Sequence, residues 1–272
     1  MRNFLFLLIL VGTLSFYGCE EIPPVIEPCK TNRVVLVEEF TGVQCVNCPA
    51  GSERIEQLIA QNPGKIVAVS IHAGFFAKPI NPTDEDFKTD ETEALDALLG
   101  PVSGWPAATI NRKLFDNESQ LVLGLSSWAG YIGNELCYPG VVDMDINSTV
   151  NTSSNEATIN ISLTPTNSVP LDEDVSLSVM ITESNIKAPQ ITPDGKVYDY
   201  KHKHLMRKML TSINGIKVQT AGNALDAYST EFTYGLPEHW DAENCHVIAF
   251  LHYSGTSSKK DVLQAFETDL AQ

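Results

Sequence analysis

The chain has 272 residues, a formal net charge of −16 and 19% charged residues. Such an acidic surface repels phosphate backbones, which argues against nucleic acid as a partner. Apolar residues make up 43% of the chain, too many for a disordered protein and enough for two modest hydrophobic cores. No phosphate-binding loop, nucleophilic serine motif or dinucleotide fingerprint occurs, so no cofactor is predicted.

The N-terminus has the pattern of a secretory signal. Residues 1–18 contain a short basic start and an apolar run that is too short to remain as a transmembrane helix. Cleavage before Cys19 would leave its thiol as the first mature residue, ready for lipidation; alternatively, an ordinary signal is cleaved elsewhere and Cys19 is incidental. Residues 19–32 are rich in proline and lack periodicity, which predicts an extended tether. We therefore expect an exported protein held at a membrane by an N-terminal lipid.

Strand, helix and strand signals follow one another after the tether. Residues 33–40 and 65–71 are apolar and β-branched, as in buried strands, and residues 49–61 have helical spacing. This order predicts a βαβ unit with two parallel strands and a right-handed crossover. A helix over 84–99, a strand over 107–111 and a helix over 118–137 would complete a domain spanning 33–138.

Residues 139–272 change to a period of two. The predicted strands lie near 157–163, 175–181, 197–210, 228–234, 245–253 and 261–267. Short alternating strands separated by Asn, Ser, Pro and Gly are typical of an antiparallel sandwich. The second half is therefore predicted to be an all-β, immunoglobulin-like sandwich domain that follows an α/β domain.

Cys45 and Cys48 lie at the junction of a predicted buried strand and a helix. Unpaired N–H groups and the helix dipole stabilise a thiolate there, so Cys45 would be the nucleophile and Cys48 the resolving thiol. One alternative is a zinc half-site, which we disfavour because no second pair of ligands with suitable spacing follows. The other is a permanent Cys45–Cys48 disulfide, since an exported protein meets an oxidising compartment.

Three further cysteines, Cys29, Cys137 and Cys245, remain after Cys19 and the local pair are assigned. Because their number is odd, at least one should be free or paired outside the chain. A Cys137–Cys245 link between the two predicted domains is one arrangement that the sequence allows.

Side chains outside the cysteine pair could support its chemistry. Glu39 lies six residues before Cys45; buried there, its carboxyl would have a raised pKa and could act as a base, whereas the alternative places it in solvent beside Glu38. Residues that could form an apolar rim for a peptide, or could equally be core, are Trp105, Phe75 and Phe76.

Histidines offer a different hypothesis. His202 and His204 would share one face of a strand and could bind a metal with His252 or His246. We favour the alternative, a polar strand face in solvent, and predict no metal site.

The order and spacing of Glu39, Cys45, Cys48 and Pro106 resemble the thioredoxin superfamily over residues 33–137. That resemblance implies a thioredoxin-like domain in which Cys45 is the nucleophile, Cys48 resolves, Glu39 is the buried acid and Pro106 is a cis-proline facing the disulfide. The dipeptide between the cysteines is Val-Asn, and Gln44 replaces the usual tryptophan. These departures leave the reduction potential and the direction of electron flow open.

A closer similarity covers nearly the whole mature chain. Residues 37–51 and 200–207 resemble the twenty-eight-kilodalton outer membrane protein family of Bacteroidetes lipoproteins. The resemblance implies an outer membrane lipoprotein, periplasmic or surface-facing. We expect a thiol–disulfide oxidoreductase acting on exported protein or peptide thiols and disulfides; the alternative is a non-catalytic, adhesin-like binding protein that uses the same fold as a scaffold.

Overall fold

The computed structural model describes residue 29, residues 31–255 and residues 258–271. The predicted signal peptide, Cys19 and most of the predicted tether lie outside the described residues. None of the helices within the described part has the length and hydrophobicity that a membrane crossing requires.

The described residues form three α-helices, three short 3₁₀ turns and fourteen strands. The helices are α1 (Cys48–Gln61), α2 (Asp90–Leu99) and α3 (Trp128–Leu136). The strands are β1 (Val35–Thr41), β2 (Ile66–His72), β3 (Ala107–Ile110), β4 (Leu123–Gly124), β5 (Val142–Asn151), β6 (Glu156–Pro165), β7 (Val175–Glu183), β8 (Ile186–Thr192), β9 (Gly195–His202), β10 (Leu205–Met209), β11 (Ile216–Gln219), β12 (Tyr228–Gly235), β13 (Cys245–Tyr253) and β14 (Val262–Asp269).

The predicted βαβ unit is confirmed. Strands β1 and β2 pair in parallel and α1 connects them, while β3 pairs antiparallel with the other side of β1. Every residue of β1 and β2 is buried, as the continuous apolar runs predict for strands covered on both faces. Strand β1 ends at Thr41, and the loop that follows it carries Cys45 and leads to Cys48 at the start of α1.

The predicted fold class, a thioredoxin-like α/β domain followed by an immunoglobulin-like sandwich, is wrong. The structure is mostly β, and one mixed sheet of nine strands draws on both halves of the chain in the order β14-β13-β7-β10-β2-β1-β3-β4, with β11 also paired to β7. Strand β10 joins β2 in parallel, with Leu205 opposite Ser70. Alternation along a strand specifies which face is buried but not which strand lies beside it, so the sequence could not reveal this junction.

Apolar clusters cover both faces of the large sheet. Helices α1 and α3 pack on one face, where Ile55, Leu58 and Trp128 contact residues of β1 and β3. Helix α2 packs on the other face through Leu95 and Leu99. A separate sheet with the order β12-β6-β5 covers β7 and β13. Each fully buried aliphatic side chain contributes about 1.5–3 kcal/mol, so these three layers hold the sheet in place.

Several element boundaries differ from the sequence prediction. Helix α2 begins at Asp90 because Thr89 caps it, with reciprocal bonds between Thr89 and Thr92. The helix predicted over 118–137 is shorter, since β4 and a 3₁₀ turn at Leu125–Ser127 precede α3. The single strand predicted over 197–210 is two strands, β9 and β10, because the backbone turns at His204, which has a φ of 54°.

The cysteines outside the local pair are arranged differently from the predicted interdomain link. Cys137 forms a disulfide with Cys29 and not with Cys245. Cys245 is a free, buried thiol, which confirms that one cysteine of this set is unpaired. Burial raises the pKa of the Cys245 thiol to about 12, so it is an inert part of the core.

Candidate functional site

The cysteine pair lies where the chain leaves β1 and enters α1. Cys45 and Cys48 form a disulfide with an S–S distance of 2.06 Å, in agreement with the predicted local pair. Cys48 is the first residue of α1, and Pro49 follows it in the first turn. Proline lacks an N–H, but N–H groups in the first turn have no partner within the helix, so no hydrogen bond is lost. Asn47 makes no side-chain cap; the Cys48 N–H donates to the Cys45 oxygen at 3.3 Å, and the Ala50 N–H donates to the Asn47 oxygen at 3.2 Å.

The disulfide itself is almost inaccessible to solvent. Cys45 is 3% exposed and Cys48 is 1% exposed, whereas Val46 between them is 43% exposed. A partner thiol approaching from solvent therefore meets the loop around Val46 before it reaches a sulfur atom.

A buried carboxyl lies on the α1 side of the sheet. Glu39 is fully buried and accepts hydrogen bonds from Ser52 Oγ at 3.2 Å and Ser70 Oγ at 3.3 Å. Loss of solvation raises the pKa of Glu39 to about 8, although the two hydroxyl groups oppose the shift. Its carboxyl is therefore mostly protonated at neutral pH, as predicted for a buried acid.

Glu38 is buried as well, so the alternative in which Glu39 faces solvent beside Glu38 is wrong. Strand β1 is covered on both faces, and the two neighbouring acids point to opposite sides. Glu38 forms a bidentate ion pair with Arg112, at 2.5 and 2.8 Å, and accepts a hydrogen bond from Thr109. Among the described residues no cation is bonded to Glu39, so only the Ser52 and Ser70 hydroxyl groups oppose the loss of solvation that raises its pKa.

Pro106 and Gly51 bring Glu39 close to the cysteine helix. The Trp105–Pro106 peptide bond is cis, as the sequence predicted. A Cβ atom on Gly51 would lie 2.6 Å from Glu39 Oε1 and 2.7 Å from Pro106 Cβ. The acid, the proline and the first turns of α1 are therefore in van der Waals contact, and only glycine fits between them.

The three aromatic residues predicted as a rim lie together beside the cysteine loop. The ring centroids of Phe76 and Trp105 are 5.8 Å apart, and those of Phe75 and Phe76 are 5.4 Å apart. The carbonyl oxygen of Phe76 accepts a hydrogen bond from the Gln44 N–H at 2.9 Å. Phe75 is 70% exposed, so this group offers apolar surface to solvent next to the disulfide.

A hairpin from the second half of the chain also contacts the cysteine loop, and sequence reasoning missed it. Strands β8 and β9 form this two-stranded sheet. The buried Gln190 donates from Nε2 to the carbonyl oxygens of Cys45 at 3.1 Å and Gly42 at 3.3 Å. The Ile191 N–H donates to the Val43 oxygen at 2.8 Å. No local signal marks Gln190, because its partners are about 145 residues away.

His202 does not share a strand face with His204. It is buried in a ring cluster with His72 and Phe87, with ring centroids 5.0–5.6 Å apart. Burial lowers the pKa of His202 to about 4 and lowers the pKa of His72 well below its ordinary value. Both line a small cavity that also contains Cys48.

The other histidines of the predicted set lie elsewhere. His204 bonds Glu56, and both line an adjoining cavity of about 460 Å³ that reaches Glu39 and shares Ser52 with the small one. His252 contacts Ser178, and His246 pairs with Asp269. Within the described residues, no three His, Cys, Asp or Glu side chains are arranged to hold a metal ion in this disulfide-bonded form.

A comparison with protein families finds one match. Residues 93–269 match the family described as outer membrane protein Omp28. No curated protein matches the chain significantly.

A search of solved structures finds proteins from two bacteria with different degrees of similarity to this chain. HBP35 of Porphyromonas gingivalis has a TM-score of 0.66 at 18% identity, covering 89% of this chain and 76% of that one. Protein AGR_C_4864 from Agrobacterium tumefaciens has a TM-score of 0.52 at 14% identity, covering 90% and 96%. A domain of the outer membrane lipoprotein Omp28 from P. gingivalis has a TM-score of 0.31 at 14% identity, covering 48% and 89%.

Proposed function

We propose that this chain, which belongs to the Omp28 family of outer membrane proteins, performs thiol–disulfide exchange with exported proteins or peptides through Cys45 and Cys48. The observation that carries this proposal is the buried carboxyl of Glu39, which contacts the cysteine helix beside Pro106 and has a pKa of about 8. Structural disulfides need no such group, whereas thiol chemistry needs a proton donor and acceptor near neutral pH.

Family membership confirms the outer-membrane part of the predicted localisation. Cys19 lies outside the described residues, so its lipidation stays a prediction. A lipid at Cys19 would hold the cysteine pair near the membrane surface, where exported proteins pass.

The exchange follows from the positions of the two sulfurs. A partner thiolate attacks Cys45 Sγ, the Cys45–Cys48 bond breaks, and Cys48 leaves as a thiolate that takes a proton supplied by Glu39. The partner's second thiol then gives its proton to the Glu39 carboxylate and attacks the partner sulfur of the mixed disulfide, and Cys45 leaves as a thiolate that takes from solvent the proton that the first partner thiol lost. The pair gains two electrons and two protons, and the partner dithiol becomes a disulfide; the reverse sequence reduces a partner disulfide.

Trp105, Phe75 and Phe76 would contact the partner during this exchange. Phe75 is the most exposed of the three, and all lie beside the loop that contains the disulfide. Aromatic side chains bury large apolar areas at little entropic cost, so an extended apolar peptide suits this surface.

The test is turnover by the full chain in an assay that follows disulfide reduction in a protein substrate with a dithiol reductant. We expect activity from the wild type and none from Cys45→Ser. A matched control is Cys245→Ser, because that thiol is buried away from the site and should leave turnover unchanged. Equal turnover by the wild type and Cys45→Ser would contradict the proposal.

A second candidate is a non-catalytic surface-binding protein in which the disulfide is a static staple. One observation favours it: Cys45 is 3% exposed, and Gln190 holds its carbonyl group under the β8–β9 hairpin. A reduction potential below about −300 mV would support the staple, and one between about −120 and −270 mV would support exchange. Capture of partner proteins as mixed disulfides by Cys48→Ser in cells would also argue against the staple.

A further inference from the structure

A narrow cavity lies on the α1 side of the sheet, directly beside the disulfide. Its walls include Cys48, Thr41, Ser70, His72 and His202. It has a volume of about 10 Å³, which is room for one water molecule or one ion. The cavity is lined by two histidines and by the disulfide-bonded Cys48, which come from three different elements.

Two ring nitrogens of the residues that line this cavity have no hydrogen-bond partner within the described part of the chain. They are His72 Nδ1 and His202 Nε2, on residues that are only 2% and 5% exposed. The two ring centroids are 5.6 Å apart. Buried polar atoms are nearly always bonded, so a ligand between the two rings would satisfy both nitrogens.

The His202 imidazole also interacts with the backbone of Ala188 and Pro189 in β8, which opposes the fall in its pKa. Because Nε2 has no partner among the described residues, this interaction falls to Nδ1. A backbone carbonyl that accepts from one ring nitrogen fixes the tautomer and leaves a lone pair on the other. This is the arrangement that supports histidines bound to metals.

The donor set is incomplete while the disulfide is closed. In that form the described side chains hold no three-donor group. Reduction by a dithiol adds two electrons and two protons, breaks the Cys45–Cys48 bond and turns the dithiol into a disulfide. Loss of the thiol proton from Cys48 then provides a thiolate beside the two imidazoles.

We propose that the reduced protein binds a thiophilic cation, Zn²⁺ or Cu⁺, through His72 Nδ1, His202 Nε2 and the Cys48 thiolate. Two imidazole nitrogens and one thiolate suit these ions, and hard cations such as Mg²⁺ and Ca²⁺ prefer oxygen. The site is switched by redox state, because oxidation returns Cys48 to the disulfide and removes the sulfur ligand. The proposal rests on the proposed function only in requiring that the disulfide can be reduced.

The test titrates the reduced full chain with Co²⁺ in the absence of oxygen, followed by displacement with Zn²⁺. Thiolate-to-cobalt absorption in the near ultraviolet reports sulfur ligation. We expect one equivalent to bind to the reduced wild type and little to bind to the oxidised protein. His72→Asn and His202→Asn should each weaken binding roughly tenfold or more, and Cys48→Ser should abolish the sulfur band.

His246→Asn is the matched control, since His246 pairs with Asp269 away from the cavity; it should bind as the wild type does. Thermal unfolding of each reduced variant without metal verifies that it is folded. The proposal is overturned if the reduced wild type binds no metal, which would mean that the cavity holds only water. It is equally overturned if both histidine variants bind as tightly as the wild type, which would mean that the cysteines bind metal alone. Turnover of the metal-free wild type is measured separately in chelator, so failure of the exchange activity and failure of the metal site are distinguishable.

Discussion

The two disulfides of the described chain lie near opposite ends of β1. They differ in the length of the loop that they close, in exposure and in surroundings. Cys29–Cys137 precedes the strand and joins residues 108 apart, and Cys137 is exposed. Cys45–Cys48 follows the strand, joins residues 3 apart and is buried. Cys48 lines a cavity with two histidines and begins the helix that contacts Glu39 and Pro106 at Gly51. A long closed loop restricts the unfolded chain far more than a short one does. The first bridge is therefore explained by stability, whereas the second needs a further reason, which its surroundings supply.

Removing each disulfide in turn tests this difference most directly. Loss of Cys29–Cys137 in the double variant Cys29→Ser/Cys137→Ser should lower the free energy of unfolding by about 4–5 kcal/mol, because its loop spans more than a hundred residues. Loss of Cys45–Cys48 in Cys45→Ser/Cys48→Ser should cost about 2 kcal/mol. Urea denaturation at neutral pH measures both. The reverse order of the two losses would contradict the distinction between a structural and a chemical disulfide.

The sequence predicts the part of the site whose residues are close together along the chain. Glu39, Cys45 and Cys48 lie within ten residues of one another, and a buried strand followed by a helix places them from local pattern alone. The cis-proline was reached through family resemblance. Gln190, the His72–His202 pair and the Cys29–Cys137 bridge join distant segments, and hydrophobic periodicity carries no information about which distant segments meet.

The fold, too, was predicted correctly only where consecutive segments pack together. The βαβ unit was predicted because strand, helix and strand are consecutive and their connection has a fixed hand. The error lay in treating the later strands as a separate sandwich, since alternation cannot show that β10 adds to β2. Burial of both β1 acids has the same origin: a strand in the middle of a sheet that is covered on both faces has no solvent side.

The pH dependence of stability tests whether Glu39, the buried acid near the Cys45–Cys48 disulfide, is held protonated. Below pH 4.5 its carboxyl is protonated in both the folded and the unfolded protein, so its contribution to stability is fully present. Between pH 4.5 and about 8 only the folded protein keeps the proton, so stability falls by about 1.4 kcal/mol per pH unit. Glu39→Gln removes this dependence, and relative to the wild type it should gain roughly 3 kcal/mol between pH 5 and 7.5.

Urea denaturation across this pH range measures the effect. Glu53→Gln, on the exposed side of α1, is the control and should change stability by less than about 0.5 kcal/mol at any pH. Parallel pH profiles for the wild type and Glu39→Gln would show that the carboxyl is not held neutral, and would remove the main support for exchange chemistry.

Gly51 tests the contact between the acid, the proline and the cysteine helix. Gly51→Ala places a methyl group 2.6 Å from Glu39 Oε1 and 2.7 Å from Pro106 Cβ. We expect a loss of about 1–3 kcal/mol from overpacking, even though alanine is the better helix former. Gly130→Ala in α3 is the matched control, because nothing lies within 4 Å of its added Cβ, and it should stabilise by about 0.5–1 kcal/mol. Equal effects at the two positions would show that Glu39 and Pro106 yield easily.

Gln190 holds the β8–β9 hairpin against the loop that contains the buried disulfide. Substitution of Gln190 should have the smallest effect on stability of the changes proposed here. Gln190→Leu keeps the side chain's size but removes the donor to the Cys45 and Gly42 oxygens, which should cost about 1–2 kcal/mol. The loosened loop should expose Cys45, so a small dithiol should reduce the disulfide several-fold faster than in the wild type. Gln57→Leu, whose amide bonds Glu53 at the surface of α1, is the control and should leave that rate unchanged. If the rate is the same in Gln190→Leu as in the wild type, access to Cys45 is set by the loop around Val46 and the aromatic rim, and the hairpin's role is confined to holding His202 against His72.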